Sequence, residues 1–187
     1  MKLFILFICA SCLLWGSACS DITEEPSGTD SDDVVEKPEY PDQESWESTI
    51  TISKEGKKVA EVWSAYIAVY NKRNETLLKD SIHVDFYDRD GNHNSVLTAK
   101  EGIVENQTRN LKAIGNVVVV SKKGEVLESE ELLWDNRQQK IISEVPVKFT
   151  TKTDTIFGDS FVSDPDLVHY EIRNTRGYSK RIVPLEK

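Results

Sequence analysis

Past residue 19 the sequence has no cysteine: Cys9, Cys12 and Cys19 are the three it contains. Whatever folds downstream therefore has no disulfide, no thiolate nucleophile and no cysteine-bound zinc. Histidine is nearly as scarce. His83, His93 and His169 show no metal-ligand spacing, and His83 falls on the polar face of an alternating segment, where a solvated ring is the ordinary reading. No G-x-S-x-G, H-E-x-x-H, phosphate-binding loop or dinucleotide fingerprint occurs, and no two carboxylates are marked out as a catalytic pair. The chain is expected not to be an enzyme and to use no cofactor and no metal. A basic surplus is missing too. The formal charge is -9, but Ser20–Glu44 alone holds ten acids against one lysine; from Trp46 onward there are 22 acids and 21 bases. Such a body gives nucleic acid no handle.

What is present begins with "MKLFILFICASCLLWGSACSD". One lysine, an apolar run and then small residues make a secretory signal, too short for a stable bilayer span. The run stops at Gly16-Ser17-Ala18-Cys19, which resembles the lipobox of bacterial lipoproteins, with Gly16 standing where leucine is usual. Cleavage before Cys19 and acylation of Cys19 are expected; cleavage at Cys12 would leave too short an apolar core. The sequence thus divides into a signal peptide over 1–18, an acylated cysteine with an acidic, proline-containing tether over 19–45, and one domain over 46–187. The tether has almost nothing to bury and reads as disordered. The domain is long enough for a real core.

Within that domain one pattern recurs. "YNKRNETLLKDSIHVDFY" (Tyr70–Tyr87) and "WDNRQQKIISEVPVKFT" (Trp134–Thr150) both run from an aromatic through a polar turn to alternating apolar residues. A third copy, "VENQTRNLKAIGNVVVV", lies between them, with Leu111, Ala113 and Val117 thirty positions before Ile141, Ser143 and Val147. A weaker fourth start sets Val126-Leu127 against Ile156-Phe157. Ile82, Val84 and Phe86 alternate with polar residues, as do Val145, Val147 and Phe149, and period two means strand. "DRDGN", "KKGE", "TKTD" and "SDPD" supply turns. "DRDGN" matches the start of a calcium loop but lacks the later acidic ligand in register, so a hairpin turn is expected. In "KKVAEVWSAYIAVYNKR" the stripe Val59, Val62, Trp63, Tyr66 and Val69 fits a helix as well as a strand; the repeat decides for strand, because it sets Tyr70 where Trp134 stands. The expected fold is all-β, an antiparallel jellyroll or flattened solenoid whose two ends leave open strand edges.

The succession "LTAKEGIV", "LKAIGNVVV", "EELLWD", "SEVPVKFT" and "IFGDSF" resembles the LptC family of lipopolysaccharide-export proteins, whose repeat is shared with LptA and the periplasmic part of LptD. The resemblance covers about Lys57 to Tyr170. It implies a lipid-binding β-jellyroll that takes lipopolysaccharide from the inner-membrane ABC exporter and passes it to an LptA-like protein. Familiar members carry an N-terminal transmembrane helix, whereas this chain offers a lipid and a tether, so either membrane could hold it; the family favours the periplasmic face of the inner one. Candidate lipid-lining residues are Ile67, Val69, Ile82, Val84, Phe86, Val117, Val119, Trp134, Val145, Val147, Phe149 and Phe161, each of which could equally be plain core. Val168, Tyr170 and Ile172 follow the last clear copy and are the expected partner edge. The alternatives are a lipoprotein that binds glycan or protein, and a structural adaptor with a filled interior.

Overall fold

The expectation of alternating strands can be followed residue by residue. The computed structural model describes residues 39–179, and among these the regular elements are all strands. They are β1 (Gln43–Lys54), β2 (Lys57–Tyr70), β3 (Glu75–Tyr87), β4 (His93–Ala99), β5 (Glu101–Glu105), β6 (Leu111–Ser121) and β7 (Val126–Asp135). The shorter β8 (Lys140–Ser143), β9 (Val147–Thr150), β10 (Asp154–Gly158), β11 (Ser160–Ser163), β12 (Tyr170–Arg173) and β13 (Arg176–Ser179) follow. The two-way segment before Tyr70 is strand β2. β1 begins two residues before Ser45, where the sequence still read as tether. The signal, Cys19 and most of the tether lie outside the described residues.

All thirteen strands join one antiparallel sheet, and the sheet is folded in two. The fold line is written in the register. Between β2 and β3, Ser64 pairs Ile82 and Tyr66 pairs Lys79, so Ala65 faces the two residues Asp80 and Ser81. Between β6 and β7, Val117 pairs Ser129 and Ile114 pairs Glu131, so Gly115 and Asn116 face Glu130. Each step is a bulge that bends its strand. Asp80, Ser81, Gly115 and Asn116 all have φ between 50° and 94°; glycine enters that region without strain, which is why Gly115 stands at the bend. Ser81 N–H donates to the Lys100 carbonyl (2.9 Å) and Lys100 N–H to the Gly115 carbonyl (3.0 Å), so the line continues through the break between β4 and β5. It runs on through residues 144–146, Asp159 and residues 174–175, each between two strands of opposite halves.

One half, here the front, holds the hairpin turns at 55–56, 88–92, 122–125 and 151–153; the back half holds those at 71–74, 106–110, 136–139 and 164–169. The recurring sequence pattern is now explained. Its three clear copies start at the first three back turns, so each copy is one passage from the back edge over the fold line and home again. The halves face each other. Phe86 on β3 and Trp134 on β7 have ring centroids 5.3 Å apart, although β4 and β6 lie between their strands, a separation of about 14 Å within a flat sheet. Side chains on the inner faces form one continuous core. Each fully buried Leu, Ile or Phe there contributes about 1.5–3 kcal/mol. The result is an all-β, antiparallel jellyroll-like fold. Among the described residues, β1 pairs only with β2 at one end, and β12 and β13 have a single neighbour each at the other.

Candidate functional site

The inner faces bring ten of the twelve sequence-selected lining residues together: Ile67, Ile82, Val84, Phe86, Val117, Val119, Trp134, Val147, Phe149 and Phe161 all belong to the one core cluster. They come from β2, β3, β6, β7, β9 and β11, so the stack of rungs, not any single hairpin, assembles them. Val69 points the same way near the 71–74 turn but is half-buried. Val145 is placed differently from the reading that set it in one strand with Val147 and Phe149. It sits on the fold line before β9, half-buried. Pro146 has no N–H for a ladder, so the chain crosses between halves there.

Sequence reasoning passed over Leu78, Leu111, Leu127, Leu132 and Ile141, all buried. Their signal was available: Leu78 shares the parity of Ile82, and Leu111 and Ile141 are equivalent positions of the repeat. Leu167 is different. It lies in the 164–169 turn with φ 58°, is 1% exposed and joins the core; nothing in "SDPDL" announces it.

Two buried side-chain polar atoms stand out among the described residues, one in the core and one on half-buried Thr150. Trp134 Nε1 and Thr150 Oγ1 have no hydrogen-bond partner. Trp134 therefore keeps an unspent donor beside Phe86, and an orphaned buried donor costs about 1–3 kcal/mol. A guest carrying a carbonyl or hydroxyl oxygen would satisfy it.

Opposite the fold line lies the mouth, where the front and back turns approach. Contacts there are few and specific. Lys54 Nζ donates to the Arg137 carbonyl at 2.8 Å, and Ser95 Oγ donates to the Pro165 carbonyl at 2.5 Å. Phe149 meets Phe161 at 5.4 Å and Tyr170 at 4.5 Å between centroids. Backbone crosses from front to back only at the fold line among the described strands. The mouth is thus the side where the halves can part without breaking a ladder.

Electrostatics keep the turns around the mouth rigid. Asp88 Oδ1 accepts the backbone N–H of Asp90 (2.8 Å) and of Asn92 (2.9 Å), and the Asn92 side chain with these donors holds its carboxyl below the usual value. The carboxylate is spent on its own hairpin, as the turn reading of "DRDGN" requires. The backbone and side chain of Gln138 do the same for Asp135 (2.8 and 2.9 Å). Asp164, Asp166 and His169 present three potential ligand atoms within 4.8 Å. However, Asp164 already binds Lys140 Nζ (2.5 Å) and His169 (3.1 Å), and Asp166 accepts the Val168 N–H (3.2 Å). A lysine already supplies the counter-charge there.

The expected partner edge is the outermost strand of the back half. Tyr170 and Ile172 are in β12, and Val168 is exposed in the turn before it. Asp164 N–H donates to the His169 carbonyl. Antiparallel alternation then turns the N–H groups of Tyr170 and Ile172 away from β11. At the opposite end Trp46 is exposed on β1 with its ring 5.7 Å from Tyr66. The Tyr66 hydroxyl donates to Glu44, and that bond pushes its pKa up to about 12.

A family model described as "Lipopolysaccharide-assembly, LptC-related" matches residues 3–164. No curated protein matches the chain.

Proposed function

We propose, from the premise that this chain belongs to the LptC-related lipopolysaccharide-assembly family, that its folded sheet takes lipopolysaccharide acyl chains between its halves and relays them. Membership itself carries a role in lipopolysaccharide transport on the periplasmic side of the envelope, together with that transport machinery. The finer reading gives the direction: lipid arrives from the ABC exporter of the inner membrane and leaves to an LptA-like jellyroll at the β12 edge. The observation that carries it is the asymmetry of the two long sides. The fold line is laced by backbone, and the mouth is closed by single hydrogen bonds and aromatic contacts over an apolar interior. Parting the mouth exposes Phe86, Trp134 and Phe149 to a lipid tail at little cost in hydrogen bonds. Relay of this kind makes and breaks no covalent bond. Attachment to the membrane is proposed through acylated Cys19 and the 19–45 tether, and loss of fatty-acid labelling in Cys19→Ala is the expected check.

One observation favours a second reading, that of a structural adaptor: the selected lining residues on the inner faces are already tightly buried. The two readings separate in one experiment. A photo-reactive amino acid placed at Val84 or Phe149 and irradiated in cells making lipopolysaccharide should give a lipid-linked band. Absence of that band at both positions, with the protein present at its normal level, would favour the adaptor.

A further inference from the structure

A cavity of about 380 Å³ opens at the mouth, lined by Lys54, Glu55, Lys57, Val59, Arg89 and Gln139. Its size falls in the range of small-ligand sites, about 300–1,000 Å³. Its floor is apolar and continuous with the interior. Val59 is 8% exposed and belongs to the same core cluster as Phe86 and Trp134. Its rim is cationic. Lys54 Nζ and Lys57 Nζ each spend one donor on a main-chain carbonyl, of Arg137 and of Arg89 (2.8 Å both). Among the described residues no carboxylate lies within 4.0 Å of Lys54, Lys57 or Arg89, whereas Lys58, Lys112, Lys140 and Lys148 each have one at 2.5–3.0 Å. Of the nearby acids, Glu55 lines the cavity, Asp88 is committed to its own turn, and Asp90 flanks Arg89. Three cations against one lining carboxylate leave a positive rim above an apolar floor.

We propose that this cavity binds the phosphate of an amphiphile's head group, and that the bound phosphate draws the Lys54 ammonium from the Arg137 carbonyl. This rests on the reading that the interior takes acyl chains. A phosphate oxygen is a stronger acceptor for an ammonium than a peptide carbonyl, because the hydrogen bond is then charged on both sides. Arg89 adds a planar fork suited to two phosphate oxygens. The hydrogen bond that Lys54 gives up is one of those that close the mouth, so recognition of the head group and admission of the tails become one event.

The test uses the full-length chain in detergent and three ligands: lipid A bearing its phosphates, the same lipid A with phosphates removed, and inorganic pyrophosphate. An exposed ion pair contributes only a few-fold, so three together amount to about tenfold. Wild type should bind phosphorylated lipid A about tenfold more tightly than the dephosphorylated form. The triple variant Lys54→Gln, Lys57→Gln, Arg89→Gln should bind both equally, at the dephosphorylated value. Glu55→Gln should tighten only the phosphorylated form, a gain that misfolding does not produce. Should the triple variant melt early, Arg89→Gln alone is read instead. Equal binding of both lipids by wild type overturns the phosphate site and leaves the acyl-chain reading intact. Binding of neither lipid removes that reading and the proposal with it. Pyrophosphate binding as tightly as phosphorylated lipid A assigns the cavity to free phosphate anions and overturns the amphiphile.

Discussion

Trp134 holds two roles that pull in opposite directions. Its ring fills the space against Phe86, and its N–H is left without an acceptor. Trp134→Ala should cost about 3–5 kcal/mol through the cavity it opens. Trp134→Phe keeps a ring and removes the orphaned donor, so urea denaturation should find a loss of only about 1–2 kcal/mol, the smaller ring being partly offset by relief of the donor. A loss for Trp134→Phe well beyond this would show that the N–H has a partner. Asp135, one residue on, gives the pH dependence a sign. Its folded pKa is depressed by the Gln138 donors, so its stabilising effect is present above the ordinary carboxylate value and lost as pH falls through the lower folded one. Asp135→Asn should lower the melting temperature at pH 7 and flatten its fall as the pH drops below the ordinary carboxylate value. At this scale the sequence was readable where period two held: Phe86, Val147 and Phe149 are core because they alternate. It was silent on Leu167, whose burial depends on a turn reaching across to Ser95.

Single strands show why part of the architecture was legible and part was not. β2 looked as helical as it looked extended because it carries a bulge at Ala65. Before the bulge Ala60, Val62 and Ser64 are buried at even positions; after it Ile67 is buried at an odd one, and the shift of one position imitates a helical stripe. β7 shifts likewise from Leu127 to Leu132 and Trp134 about Glu130. The two-residue steps of β3 and β6 keep parity across the fold line, but the one-residue steps of β2 and β7 reverse it and leave no composition signature, so in those two strands parity could be read only within each half. β12 yields an expected outcome of its own. The N–H groups of Tyr170 and Ile172 face away from β11, and those of Glu171 and Arg173 face it. Tyr170→Pro should therefore block docking of a second jellyroll while keeping the β11 ladder, at the loss of its ring's contact with Phe149, whereas Glu171→Pro should disturb the ladder as well. Cross-linking to an LptA-like partner, read beside a melting curve, distinguishes them. Docking unaffected by Tyr170→Pro would direct attention to β1.

For the molecule as a whole, the family and the layered β fold were in the sequence because the repeat is. The state of the mouth was not, since it depends on contacts between turns 83 and 70 residues apart. That state can be fixed chemically. The domain has no cysteine of its own after residue 19, so Ser95→Cys with Pro165→Cys introduces one unambiguous pair where the two residues already touch. Oxidised, this variant should melt higher and fail to load lipid; reduced, it should load again. Normal loading in the oxidised form would rule out the mouth as the way in.

The fold line has a consequence for how such a chain can change in length. In an ordinary sheet, one inserted residue turns every later side chain of its strand to the wrong face. Here β2, β3, β6 and β7 each carry a step of one or two unpaired residues halfway along, β2 facing the other size in β3 and β6 the other size in β7. An added or lost residue at that step exchanges one bulge size for the other, and the inward faces on both sides keep their places. Insertions and deletions should thus be borne best along a single column through Ala65, Asp80, Lys100, Gly115 and Glu130, on the side away from the mouth. The protein can drift in length along its spine while the inward core face keeps its register.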